Sequence, residues 1–166
     1  MDAFLAAVSK RDTRRYADRP VPDDVRQRTL EAGRLAGSAV NRQPWRFLVV
    51  ENAERRERLA ETVYEPTNVR GAQLVVAIAG KSSFDTGRCA QNMMLAAWND
   101  GVASCPNGMP DRDRAAEALG LGDDDGLAVV LTFGYPANGR RGEDRPVEEW
   151  IRRANRKPLS ELVEVI

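Results

Sequence analysis

Leu74-Val75-Val76-Ala77-Ile78-Ala79 is apolar at every position and rich in β-branched side chains. Strands that face water on one side alternate apolar and polar residues, whereas a run apolar on both faces is a strand covered from above and below. The stretch is therefore read as a central strand, and the segments around it must supply its cover. Downstream, Phe84 to Asn99 places Ala90, Met93, Met94, Ala97 and Trp98 at spacings of three and four, the stripe of a helix packed on a core. Leu127 to Phe133 is a second buried strand, and Trp45 to Val50 alternates before turning fully apolar, a third. Further helices are expected at residues 3–8, 23–36, with Asp23 as cap, 54–63, 112–119, closed by Gly120, and 148–154. Glu65-Pro66-Thr67-Asn68 reads as a helix break and Cys105-Pro106-Asn107-Gly108-Met109-Pro110 as a tight loop. Helices and strands intermix, so the fold is a helix-covered sheet of the α/β or α+β class, one domain over residues 1–166. Few strands are available for a self-sufficient sheet. The apolar tail Leu162-Val163-Glu164-Val165-Ile166 can extend a neighbour's sheet, which points to an intertwined dimer.

Composition narrows the chemistry. The 166 residues carry 25 Lys+Arg against 25 Asp+Glu, a balance that removes bulk attraction to nucleic acid. There is no histidine. His-ligated zinc, a Ser-His-Asp or Cys-His nucleophile and an imidazole base are thereby excluded, and an enzyme of this composition relies on a bound cofactor. No metal site is expected. No segment reaches the roughly 18–20 apolar residues of a membrane span, and residues 1–4 lack the pattern of a secretory leader. Cys89 and Cys105 are read as free or buried thiols in a reducing cytoplasm.

Four segments can carry binding. Lys10, Arg11, Arg14 and Arg15 follow the first helix, where they serve either as a solvated helix end or as forks for phosphate oxygens. Ser38, Asn41 and Gln43 mix donors and acceptors, enough to read the amide edge of a planar heterocycle or simply to bond their own backbone in a turn. Gly108, without Cβ, lets backbone N–H groups approach a ligand, or it belongs to an ordinary helix–loop connection. Arg152, Arg153, Arg156 and Lys157 form a second basic cluster, unremarkable on its own.

Taken in order, these segments resemble the nitroreductase family of flavin enzymes. The resemblance rests on Arg11-Asp12-Thr13-Arg14-Arg15-Tyr16, Pro20-Val21-Pro22, and Ala36-Gly37-Ser38-Ala39-Val40-Asn41-Arg42-Gln43-Pro44-Trp45-Arg46-Phe47. It continues through Ala90-Gln91-Asn92-Met93-Met94-Leu95-Ala96-Ala97, then Gly134-Tyr135-Pro136, and ends at Arg156-Lys157-Pro158-Leu159. It implies an α+β fold with a central, mainly antiparallel sheet flanked by helices, in an intertwined homodimer with FMN at the interface. It also implies ping-pong chemistry, in which NAD(P)H reduces flavin N5 and the flavin reduces a nitroaromatic, quinone or similar small acceptor.

By position, Lys10, Arg11, Arg14 and Arg156 match the family's phosphate, ribityl and pyrimidine contacts. Ser38, Asn41 and Gln43 match the loop that reaches the other subunit's flavin, and Asn107 and Gly108 the backbone donors near N5. No side chain is assigned as a catalytic base. The departures are Lys10 for the usual arginine, Asp12 for a hydroxyl residue, Gly37 for proline, and a short chain without the family's lid insertion. Asn68 and Arg70 are available as middle contacts. Asp12 keeps open a flavin-processing or deazaflavin-type relative, and the short chain keeps open a non-catalytic flavin- or nucleotide-binding dimer.

Overall fold

A computed structural model describes all 166 residues. Four strands, β1 (Arg46–Val49), β2 (Leu74–Ala79), β3 (Ala103–Asn107) and β4 (Leu127–Gly134), form one sheet in the order β1-β2-β4-β3. Every pairing is antiparallel, with Val76 opposite Val49 on one side and Leu131 on the other. The α+β expectation holds.

The uninterrupted apolar reading of β2 is explained by two cores. Leu74, Val76 and Ile78 face α2 (Asp23–Arg34) and α5 (Ser83–Asn99), where they meet Cys89, Met93, Leu131 and Phe133. Val75 and Ala77 face the opposite layer, built from α3 (Ala53–Ala60), α4 (Pro66–Gly71) and α6 (Arg112–Leu119), and meet Leu59, Val69, Leu119 and Val130. Each Val, Leu or Ile so buried contributes about 1.5–3 kcal/mol, and a polar residue anywhere in β2 would forfeit that on one face. The first helix, α1 (Ala3–Ser9), packs on the last, α7 (Val147–Arg153), and on α5, where Trp98 Nε1 donates to Ser9 Oγ at 2.8 Å.

Two local expectations are corrected. Residues 66–71 form a helix rather than a mere break: α3 has already ended at Ala60, and Pro66 occupies the first turn of the next helix, where its missing N–H costs nothing. Cys105 to Asn107 belong to β3, not to a loop: β3 pairs only with β4, and Pro106 is tolerated on an edge strand. The tail 162–166 lies exposed beyond a short turn at Leu159–Glu161. No helix is long and apolar enough to cross a membrane.

Candidate flavin-binding site

The segment following α1 runs along the free edge of β3. Asp12 bridges Ser104, the Thr13 N–H donates to the Ser104 carbonyl at 3.0 Å, and Tyr16 bridges Pro136. This lays the segment that carries the candidate basic residues along β3, the strand that leads to the candidate backbone donors. Lys10 Nζ lies 2.5 Å from the Asp12 carboxylate and 3.4 Å from Met94 Sδ, so the carboxylate that is out of place beside a phosphate is neutralised within the segment. The charges of Arg14, Asp12 and Lys10 all act on Cys105, although burial dominates and pushes that thiol upward from its ordinary range. Cys89 is likewise buried and unpaired, pushed up to about 11 by desolvation and then by Asp85; neither thiol is an activated nucleophile.

Arg11 closes the helical end of the site. Its Nη1 donates to the carbonyls of Val8 (2.7 Å) and Lys10 (2.8 Å), its Nη2 to that of Trp150 (3.1 Å), and its guanidinium lies 5.5 Å from the Trp150 ring centre. Burial lowers its pKa, and the charges of Arg156 and Arg140 lower it further. Arg156, far away in sequence, is thus brought back to Arg11 by the α1–α7 contact. Neither Arg140 nor Arg156 has a carboxylate partner, unlike Arg145 and Arg153, which share Glu149. The charges of Arg140 and Arg156 are thus felt at Arg11 without a carboxylate beside them, which leaves this end of the segment electropositive.

At the other end, β3 delivers Asn107 and Gly108. The Asn107 side chain is buried and Gly108 is exposed. The Gly108 carbonyl accepts from the Tyr64 N–H at 3.0 Å, while the Gly108 N–H has no acceptor in the chain. A Cβ on residue 108 would come within 2.9 Å of the exposed Tyr64 ring, which would have to move to admit it.

Ser38, Asn41 and Gln43 do not join this cluster. They lie between α2 and β1, at the same end of the sheet as Asn107 but three strands across, about 14 Å by strand spacing alone. The loop is held by Ser38 Oγ, which accepts from the Gln43 N–H at 2.8 Å, and Gln43 Nε2 reaches the Asn41 carbonyl at 3.4 Å. Val40, Asn41 and Gln43 all take positive φ. Beneath the loop Gly80, at φ +153°, leaves room for the Pro44 carbonyl. Of the two available middle residues, Asn68 is buried against Asn107 and Arg70 pairs with Glu57 on the surface.

Sequence reasoning misses Arg140, which lies in a polar loop without periodicity, and the roles of Thr132 and Tyr16; Asn68, available as a middle contact, is instead buried on Asn107. Thr132 carries a usable signal: one hydroxyl in the apolar run Leu127 to Phe133 must find a partner when buried.

A family model described as the nitroreductase family matches residues 7–83 and 78–135. The chain belongs to the nitroreductase family. It is 30% identical over 150 residues to a Methanothermobacter thermautotrophicus protein provisionally named NADH dehydrogenase/NAD(P)H nitroreductase, covering 82% of this chain and 78% of that one. Among solved structures, a nitroreductase family protein of Clostridium difficile 630 superposes with a TM-score of 0.83 at 26% identity, over 99% of this chain and 98% of that one. A provisionally assigned nitroreductase from Desulfovibrio desulfuricans, solved in complex with FMN, is 29% identical with a TM-score of 0.76, over 95% and 98% of the two chains.

Proposed function

We propose that this protein is an FMN-dependent oxidoreductase that draws reducing equivalents from NAD(P)H and passes them to a small acceptor such as a nitroaromatic or a quinone. The carrying observation is that one sheet edge carries, towards its helical end, arginine charge without a carboxylate partner and, at the end of β3, an exposed backbone N–H with no internal acceptor. This donor set suits FMN, which offers a phosphate dianion at one end and a reducible heterocycle at the other. Arg11 and Arg156, joined by Arg140, would hold the phosphate. Lys10 keeps Asp12 neutralised, and Arg14 together with the Asn107–Gly108 backbone would meet the remainder. Bound flavin supplies hydride acceptance and delivery, which the side chains of this protein do not. The task of the chain is to bind, to orient, and to set a fixed dipole where charge develops.

The working unit in this reading is a homodimer. The β3 edge is already covered by residues 12–16, which leaves β1 as the open edge. Beside β1 runs a cavity of about 570 Å³ lined by Leu48, Val50, Arg55 and Leu119 among others. The apolar tail Leu162–Ile166 of a second copy supplies a strand of suitable length, and the partner would present its Ser38, Asn41 and Gln43 to this copy's flavin.

An absorbance spectrum of the purified protein, repeated anaerobically after NADPH and then NADH, tests the reading. Flavin bands that bleach with either nucleotide are expected. Bands that persist with both would reduce the protein to a flavin-binding dimer, and failure to retain added FMN would reject the assignment.

A further inference from the structure

We infer that Asn107 is a positioning residue for flavin reduction, acting through a buried side-chain network, Asn68–Asn107–Thr132–Tyr16, that fixes the aim of the Gly108 N–H. The inference rests on the function proposed above, but its geometry is independent of any ligand.

The network has a fixed direction at Asn107. Asn107 Nδ2 donates towards the carbonyls of Cys105 (3.1 Å) and Val130 (3.2 Å) and to Thr132 Oγ1 (3.2 Å). Two of those partners are carbonyls, which only accept, so the amide cannot be reversed without setting oxygen against oxygen. Its Oδ1 therefore faces Asn68, whose Nδ2 donates at 3.0 Å. The Thr132 hydroxyl donates to the Cys105 carbonyl at 3.2 Å, and the Tyr16 hydroxyl reaches Thr132 at 3.0–3.2 Å. Asn68, Asn107 and Thr132 are at most 6% exposed, and their side chains leave no buried polar atom unpaired. Such a network specifies one arrangement, because displacing any member strands the others in a low-dielectric interior.

Its placement is what matters. β3 is an edge strand whose penultimate residue, Pro106, has no N–H to give. Its end is the point at which an edge strand frays most easily. The Asn107 side chain adds a tie across the sheet to the carbonyl of Val130, its own register partner, while the Tyr64 N–H holds the carbonyl of Gly108. The peptide between Asn107 and Gly108 is thus clamped from both sides, and its N–H is left pointing at nothing in the chain. A donor fixed in this way needs no reorganisation as charge develops opposite it.

The test uses FMN-loaded wild type, Asn107→Leu and Asn68→Leu. Asn107→Leu should weaken stabilisation of the reduced flavin about tenfold, a fall of about 30 mV for a two-electron couple, with kcat reduced and KM for NAD(P)H unchanged. Asn68→Leu, which spares Asn107's own donors, should shift the potential in the same direction by less. Variants that hold FMN at the wild-type potential and merely melt earlier would reduce the network to a structural role. A second measurement needs no flavin: by amide relaxation in the apoprotein, Gly108 should be rigid in wild type (order parameter about 0.85) and mobile in the variants (below about 0.6). A Gly108 that stays rigid in folded Asn68→Leu overturns the inference whether or not FMN binds. A wild type that never takes up FMN overturns the proposed function instead.

Discussion

The two edges of the sheet are finished in opposite ways. At β3, Asp12 and Thr13 tie the preceding segment to the strand, the buried side chains of Asn68, Asn107 and Thr132 are paired although Ser104 Oγ is not, and Lys10 and Arg11 are spoken for by named partners within about 3 Å. At β1, the neighbouring loop bonds only to itself, three of its non-glycine residues sit at positive φ, and Val40 is 87% exposed. The same contrast separates the termini: α1 is locked to α7, whereas Val165 and Ile166 lie fully in solvent. A folded chain rarely leaves a terminal apolar segment and an open strand edge idle together. The difference teaches that one half of the proposed site is preorganised within a single copy, while the other half has no such support there, which is where the proposed dimer would supply it.

The severest way to break that comparison is to remove the tail. Deleting Leu162–Ile166 should convert the dimer to monomer by sedimentation at micromolar concentration, because an open β1 edge then has nothing to pair with. The β3 half should survive this, so the truncated protein is expected to retain its far-ultraviolet spectrum and weak FMN binding. A truncated protein that remains dimeric would show that the open edge is not the joint.

Charge sharpens the same comparison at the closed edge. Arg156→Ala should weaken FMN binding by about 1.5–3 kcal/mol, the range for a hydrogen bond to a charged group, or roughly tenfold to a hundredfold in Kd. The sign of its effect on the apoprotein distinguishes a seat from a strut. Arg156 and Arg140 depress the Arg11 pKa and have no counterion, so removing one cation should leave the apoprotein as stable as before or slightly more so. A loss of apoprotein stability together with unchanged FMN affinity would make Arg156 structural. Urea denaturation of apoprotein beside flavin titration reads both.

How far the sequence anticipates these edges follows from the range of the forces involved. The all-apolar β2 announces two covered faces, because burial on both sides of a strand is written into every residue of it. The basic residues after α1 and the Ser38–Gln43 loop are legible as a pattern in fixed order, and that order carries the family. What escapes is what depends on three-dimensional neighbours. Pro106 reads as a loop until its strand is seen to be an edge, and Pro66 reads as a stop until it opens α4. Asn68 reads as an available middle contact, and only the fold shows it buried on Asn107. Arg140 has no sequence signature, since its role comes from standing beside Arg11 and Arg156.

The smallest effect tests the open edge itself. Val40 holds φ 52° and ψ 27°, a left-handed conformation in which a β-branched side chain is especially uncomfortable. An L-residue there costs roughly 1–2 kcal/mol, against the roughly 0.5–1 kcal/mol that glycine loses through its freer unfolded chain. Val40 is almost wholly exposed, so Val40→Gly forfeits little packing within the copy that carries it. The substitution should therefore stabilise the isolated fold by about 0.5–1 kcal/mol, a rise in Tm of roughly 1–4 °C for a chain of this size. In the proposed dimer the same side chain stands beside the residues offered to the partner, so turnover should fall even as Tm rises. Strain retained in an exposed loop persists only where something else gains from it. A Val40→Gly protein that is both more stable and equally active would mean that the open edge holds its shape for no partner.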